Sequence, residues 1–180
     1  MGNFSFIQTG IDGLIVVEPK IYGDHRGYFM ETYHHEEYRK GGISVNFVQD
    51  NQSLSKKGVL RGLHFQTLRP QGKLVRVLEG EVFDVAVDIR QGSATYKQWY
   101  GIKLSGENRK QLYIPEGFAH GFLVLSEQAV FSYKCTDFYD PANESGLLWN
   151  DPEIGIEWPL NEVDNVLLSP KDEKWKGITE

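Results

Sequence analysis

Moving a proton to or from a substrate calls for an imidazole, a phenol or an amine held on rigid backbone. The stretch VLRGLHFQTLRPQGKLVRVLEG, residues 59–80, supplies two of these in His64 and Lys73, with Arg61 three residues before the imidazole. Tyr133, within FSYKC at residues 131–135, supplies the third. Each also has a plainer reading. A histidine between apolar neighbours is as often a hydrogen-bonded core residue as a ligand contact. Gly62 and Gln66 share the face of His64, however, and a packed core uses larger apolar residues, so this face suits a cavity better. Tyr133 shares its face with Phe131 and Cys135, which turns its ring inward, where a phenol is either structural or a usable acid. Arg61 has the opposite parity to His64. Both reach one ligand only if the strand bulges there or Arg61 approaches from its end.

The elements that must position these groups are strands. Residues 59–80 read as two strands joined by a turn at Arg69-Pro70-Gln71-Gly72. Before them, Phe4 to Thr9, Leu14 to Glu18, Tyr28 to Tyr33 and Val45 to Asp50 read as strands, with a turn at 24–27 and polar loop from 51 to 58. HHEEYRKGG at 34–42 suits a turn or two of helix ending at the paired glycines. After them come Glu81 to Ile89, Gln98 to Leu104, Gln111 to Ile114, Gly121 to Leu125 and Val130 to Thr136. In the first of these Phe83, Val85, Val87 and Ile89 share one face, Asp84 and Asp88 the other. Many short strands at near-regular spacing imply an all-β sandwich or barrel, with short helical turns in the last forty residues.

The 180 residues, 40% of them apolar, suffice for one domain spanning 1–180 with a sizeable core. No apolar run approaches the roughly 20 residues that cross a bilayer, and the N-terminus lacks the pattern of a secretory signal. Cys135 is alone, so no internal disulfide forms and a cytoplasmic location is expected. A net charge of −6 argues against a nucleic-acid surface, though not against a small anionic ligand held by a few arginines.

Residues 113–120, YIPEGFAH, resemble the second motif of the cupin barrel, P-x-G-x-x-H, ending at His120. The first cupin motif carries H-x-H and then an acidic residue. Here Gln66 follows His64, and the next ligand position holds Lys73, whose ammonium repels a divalent ion. One or two imidazoles are too few for a tight site, so no metal is expected. Taken singly, Arg26, Glu31, Gln49, Asn51 and Arg61 read as solvated polar groups at turns or strand ends, although a pyrophosphate would need at least two such cations. Tyr139 and Trp149 either stack on a base or pack the late loops, packing being the better reading for Trp149. Lys171 and Asp172 read as ordinary tail charge.

Together the segments DHRGYFMETY (24–33), FVQDNQS (47–53), GVLRGLHFQ (58–66), QGKLVRVLEGEVFDVAVDIR (71–90), QLYIPEGFAHGF (111–122), FSYKCTDFY (131–139) and GIEWP (155–159) closely resemble the dTDP-4-dehydrorhamnose 3,5-epimerase family, in family order over nearly the whole chain. The resemblance implies a cupin-type double-stranded β-helix, or jelly-roll, barrel acting as a homodimer on a dTDP-sugar, with no cofactor. It implies His64 as the base that removes the protons at C3 and C5, with Asp172 as its partner. By the same resemblance Tyr133 is the acid on the opposite face and Lys73 faces the enolate oxygen. Arg26, Glu31, Gln49, Asp50, Asn51, Arg61, His120, Glu144 and Lys171 match substrate-contacting positions and Tyr139 a stacking position, Arg26 reaching into the neighbouring subunit.

These groups suit that chemistry. A proton beside a ketone is too weakly acidic for an isolated imidazole, so the enolate oxygen must be stabilised, and a pre-placed donor contributes about 3–4 kcal/mol. Inversion then needs an acid across the ring from the base. The expected product is dTDP-4-dehydro-L-rhamnose, from dTDP-4-dehydro-6-deoxyglucose. The alternatives are a relative inverting only C3 or C5, a metal-dependent cupin oxygenase or isomerase, and a non-catalytic sugar-nucleotide-binding module.

Overall fold

The computed structural model describes residues 2–179. In chain order the strands are β1 (Phe4–Gln8), β2 (Ile15–Pro19), β3 (Tyr22–Asp24), β4 (Gly27–Phe29), β5 (Gln49–Lys56), β6 (Leu60–Gln66), β7 (Lys73–Glu79), β8 (Glu81–Asp88), β9 (Trp99–Ser105), β10 (Gln111–Ile114), β11 (Phe118–Val124), β12 (Gln128–Cys135) and β13 (Glu144–Gly146). One helix, α1 (His35–Lys40), precedes β5. A six-stranded sheet runs β1-β2-β10-β7-β12-β5 and faces a five-stranded sheet ordered β13-β6-β11-β8-β9, while β3 and β4 form a separate hairpin. Every pairing between these strands is antiparallel, so the expected all-β jelly-roll barrel is the observed architecture.

Apolar side chains on alternate positions fill the space between the sheets. Val75 and Val77 from β7, Leu112 and Ile114 from β10 and Phe131 from β12 meet Val82, Ala86, Leu104, Phe122 and Val124 from the other sheet. The rings of Phe122 and Phe131 stack across the barrel at 4.1 Å, so truncating either would cost about 3–5 kcal/mol. The outer faces are also covered. Leu60, Leu63, Val85, Val87, Ala119 and Leu123 pack under the C-terminal segment carrying Leu147, Ile154 and Trp158. On the other side Ile15, Val17, Leu74 and Tyr113 pack under Tyr38 and Ile43. The helix bearing Tyr38 starts where His34 Nδ1 accepts from Glu37 N, with Glu36 and Glu37 in its first turn, and stops at the expected Gly41-Gly42 pair. Among the described residues no helix is long and apolar enough to cross a membrane.

Several elements differ from expectation: β3 and β13 are short strands where none was expected, and β11 begins at Phe118 rather than Gly121. The aromatic strand Tyr28 to Tyr33 shrinks to Gly27–Phe29, because Tyr33 turns in to meet Tyr38 at 4.8 Å and Phe47 at 5.4 Å. The strand expected over Val45 to Asp50 lies instead at Gln49–Lys56, across the stretch expected as loop. It is the edge strand of its sheet and buries only Ser55. Its order comes from pairing along its whole length with β12, from Gln49 opposite Cys135 to Lys56 opposite Gln128.

Candidate active site

Strand β6 carries the base candidate, and its backbone resolves the parity question. Opposite β11, His64 pairs with His120 and Arg61 with Phe122, three steps on one strand against two on the other. The extra residue is a bulge that turns Arg61 to the same face as His64. Gly62 and Gly121 make it possible: Gly62 has φ +127°, and a Cβ there would lie 2.5 Å from Gly121 Cα. Arg61 Nε then donates to Ser55 Oγ at 3.0 Å.

The C-terminal segment completes the base. It returns to the barrel through a bridge between Val59 and Leu167, and a 3-10 turn at Asp172–Lys174 places Asp172 beside His64. His64 Nε2 and Asp172 Oδ1 lie 2.5 Å apart. Asp172 is buried; desolvation pushes its carboxyl up, but hydrogen bonds from His64, Ser169 and Trp175 outweigh this and hold it below the usual aspartate range. With Nε2–H donated to the carboxylate, a neutral His64 keeps its lone pair on Nδ1.

The facing sheet brings Lys73 and Tyr133. Lys73 opens β7 between Ile114 and Cys135. Burial pushes its ammonium down, against the opposing influence of Cys135, Asp84 and Glu144. Its Nζ has no hydrogen bond or ion pair among the described residues. Tyr133 projects inward with Phe131 and Cys135 as expected, and burial raises its phenol, keeping the proton on. His64, Lys73 and Tyr133 line one cavity of about 90 Å³, together with Gln71, Tyr139 and Glu144. Gln71, Tyr133, Tyr139 and Glu144 also line an outer groove of about 280 Å³ that includes Gln49 and Asn51.

The groove wall is a charged relay. Glu144 Oε1 accepts from Lys171 Nζ and Oε2 from Tyr139 Oη, both at 2.7 Å. Glu144 is raised by burial but held down overall by those donors, and in return the Tyr139 phenol is pushed up to about 12. Gln49 Oε1 accepts from the Tyr139 backbone N–H at 3.0 Å, and Gln49 Nε2 donates to Asn51 Oδ1 at 3.0 Å.

Four candidates stand apart from this assembly. Asp50 faces the outside of its sheet and pairs with Lys134 at 3.0 Å. Arg26 sits at the exposed β3–β4 turn against Asp24, and Glu31 accepts from Asn3 Nδ2 at 2.8 Å. His120 is buried opposite His64, with Nε2 2.9 Å from Asp84 Oδ2, and burial lowers its imidazole despite that carboxylate.

Sequence reading missed several supporting groups. Asp84 lies on the less apolar face of β8, yet that face points into the barrel, since Val82 and Ala86 beside it join the central core while Val85 and Val87 pack outward. Gln66, at the second ligand position of a metal cupin, spends its amide on two loops: Nε2 donates to Arg69 O at 2.7 Å and Oε1 accepts from Asp140 N at 2.8 Å. Trp149 packs under the sheet as expected and accepts from Trp158 Nε1 through its backbone oxygen. The inward side of β8 could have been suspected from its fully apolar surroundings. Nothing local in the sequence marks the loop contacts of Gln66.

Fold and site define a cupin-type barrel enzyme. The model of the dTDP-4-dehydrorhamnose 3,5-epimerase family matches residues 8–180. A dTDP-4-dehydrorhamnose 3,5-epimerase of Methanothermobacter thermautotrophicus is 56% identical over 180 residues, all of this chain and 97% of the relative. The crystal structure of a dTDP-6-deoxy-D-glucose-3,5-epimerase of Legionella pneumophila, in complex with dTDP-4-keto-L-rhamnose, superposes with a TM-score of 0.94 at 56% identity, covering 98% of this chain and 93% of that one. A dTDP-4-dehydrorhamnose 3-epimerase of Streptomyces niveus is 40% identical over 166 residues, 91% of this chain and 79% of the relative. The chain belongs to the dTDP-4-dehydrorhamnose 3,5-epimerase family.

Proposed function

We propose that this chain inverts C3 and C5 of dTDP-4-dehydro-6-deoxyglucose to give dTDP-4-dehydro-L-rhamnose, by proton transfer beside the ketone. One observation carries the reading: His64, on the five-stranded sheet, and Lys73 and Tyr133, on the six-stranded sheet, line the same cavity from opposite walls. His64 Nδ1 takes the proton from carbon, and the pair of electrons left behind moves onto the carbonyl oxygen. Lys73 stabilises that oxygen, and Asp172 stabilises the imidazolium. Tyr133 then delivers a proton to the other face, and its phenolate regains one from solvent as His64 gives one up. The inner cavity takes the sugar and the outer groove the nucleotide, with Tyr139 stacking on the base and Arg61, Gln49, Asn51, His120, Glu144 and Lys171 as contacts.

In this reading residues 1–180 work as one domain, in a cytoplasmic homodimer. Arg26 and Glu31, remote from the cavity of their own chain, and Asp50 serve the assembled site. The test is proton NMR of the product formed from dTDP-4-dehydro-6-deoxyglucose. Inversion at both carbons supports the proposal; inversion at C3 alone would assign the chain to the activity for which the Streptomyces niveus relative is named, and binding without conversion would make it a sugar-nucleotide-binding module.

A further inference from the structure

Asp172 is gripped by more than the imidazole. Its Oδ1, which meets His64, also accepts from Trp175 Nε1 at 3.2 Å, while Oδ2 accepts from Ser169 Oγ at 2.9 Å. The indole therefore shares one oxygen with the base. Its place is prepared: Gly146 opposes His64 in the β13–β6 register, and a Cβ on Gly146 would lie 2.5 Å from indole Cε2 and Nε1. The Trp175 ring stands edge-on to His64 with centroids 6.4 Å apart. The segment is pinned on both sides of the contact, by Leu60 N to Leu167 O at 3.0 Å and by Leu148 N to Lys176 O at 2.8 Å.

We infer that Trp175 is a positioning residue for the epimerase reaction, its indole N–H sharing Asp172 Oδ1 with His64 and Gly146 supplying the space it needs. The inference rests on His64 being the base. A second donor on the oxygen draws off part of its negative charge, so the carboxylate holds the imidazolium less strongly than it would alone. The indole thereby tempers the pull of the carboxylate on the imidazole. It also fixes the plane of the carboxylate, and through it the aim of Nδ1. The other charged or titratable groups facing His64 are Glu144 from β13, His120 from β11, Lys73 from β7, Tyr133 from β12 and Tyr139 from the loop after it. A change confined to Trp175 leaves all of these side chains in the protein, so it reports on the indole.

Trp175→Phe keeps an aromatic ring over Gly146 and removes the N–H. The acid limb of kcat/KM against pH should move up by about half a unit, with KM for dTDP-4-dehydro-6-deoxyglucose within about twofold of the parent. Titration of the His64 ring followed by NMR should show the same upward shift, and it reads the contact whether or not the variant turns over. Gly146→Ala, which displaces the ring but keeps the N–H, should move the limb in the same direction. An unmoved His64 titration in Trp175→Phe, with activity lost only in proportion to folded protein, would overturn the inference. His64→Asn separates the two levels: residual exchange there removes the base assignment itself, whereas an inactive His64→Asn beside an unshifted Trp175→Phe removes only the role of the indole.

Discussion

His64 and Asp172 stand 108 residues apart in sequence and 2.5 Å apart in space. The carboxylate arrives on the returning C-terminal segment and is buried, so its charge acts on the imidazole with little screening. Replacing it by asparagine leaves the shape and removes the charge. Asp172→Asn should lower kcat by about 10²- to 10⁴-fold, with a much smaller change in KM. Steady-state kinetics check this; a kcat within threefold of the parent would separate the carboxylate from the chemistry.

Lys73 costs stability and supplies catalysis. A half-buried ammonium without an ion partner among the described residues opposes folding, and desolvation pulls its pKa down accordingly. A lysine whose folded pKa is lowered binds its proton more readily when unfolded, so at neutral pH it subtracts from stability. Lys73→Met should therefore raise the thermal midpoint while lowering turnover by about 10²-fold or more. Calorimetry beside an activity assay reads the two opposite changes. A drop in both would mean that Lys73 holds the fold together.

Tyr133 keeps its proton because burial raises the phenol. Tyr133→Phe removes the donor on the six-stranded sheet and leaves His64 and Lys73 in place. Deuterium should still enter from solvent, while the yield of inverted product falls. NMR of the product mixture decides, and an unchanged rate and product ratio would take Tyr133 out of the reaction.

Stability at low pH should track Asp88, outside the site. Its carboxylate is fully buried at the end of β8; desolvation raises its pKa, but Arg90, Ser93 and Thr95 more than reverse this and hold it well below the ordinary range. A carboxyl with a lowered folded pKa contributes fully above its unfolded pKa, and the contribution drains away as pH falls toward the folded value. Asp88→Asn should cost about 3 kcal/mol near neutrality, the difference shrinking below about pH 4. Thermal melts of both proteins from neutral to acid pH test the trend; a constant difference would deny the charge its part.

Much of this molecule is legible in its sequence, for physical reasons that also mark where reading stops. Strands β6, β7, β8, β10 and β12 announce themselves through apolar alternation, and the inward turn of Tyr133 follows from its face-mates Phe131 and Cys135. Strand β5 does not, because an edge strand with one buried residue has no alternation to display. Both faces of the five-stranded sheet are covered, so the more apolar face of β8 is the outer one and Asp84 points inward to His120. The bulge at Gly62 needs a partner strand before it exists. Residue composition makes Asp172 tail charge; only its likeness to a family, and then its position in space, make it part of the base.

The central claim is that His64 takes protons from carbon in the cavity it lines with Lys73 and Tyr133. The most direct measurement is incubation of the protein with dTDP-4-dehydro-6-deoxyglucose in D₂O, reading label at C3 and C5 by NMR, for the parent and for folded His64→Asn. The account predicts label at both carbons with the parent and at neither with His64→Asn. Label at both carbons in His64→Asn, at a rate near the parent's, would contradict it.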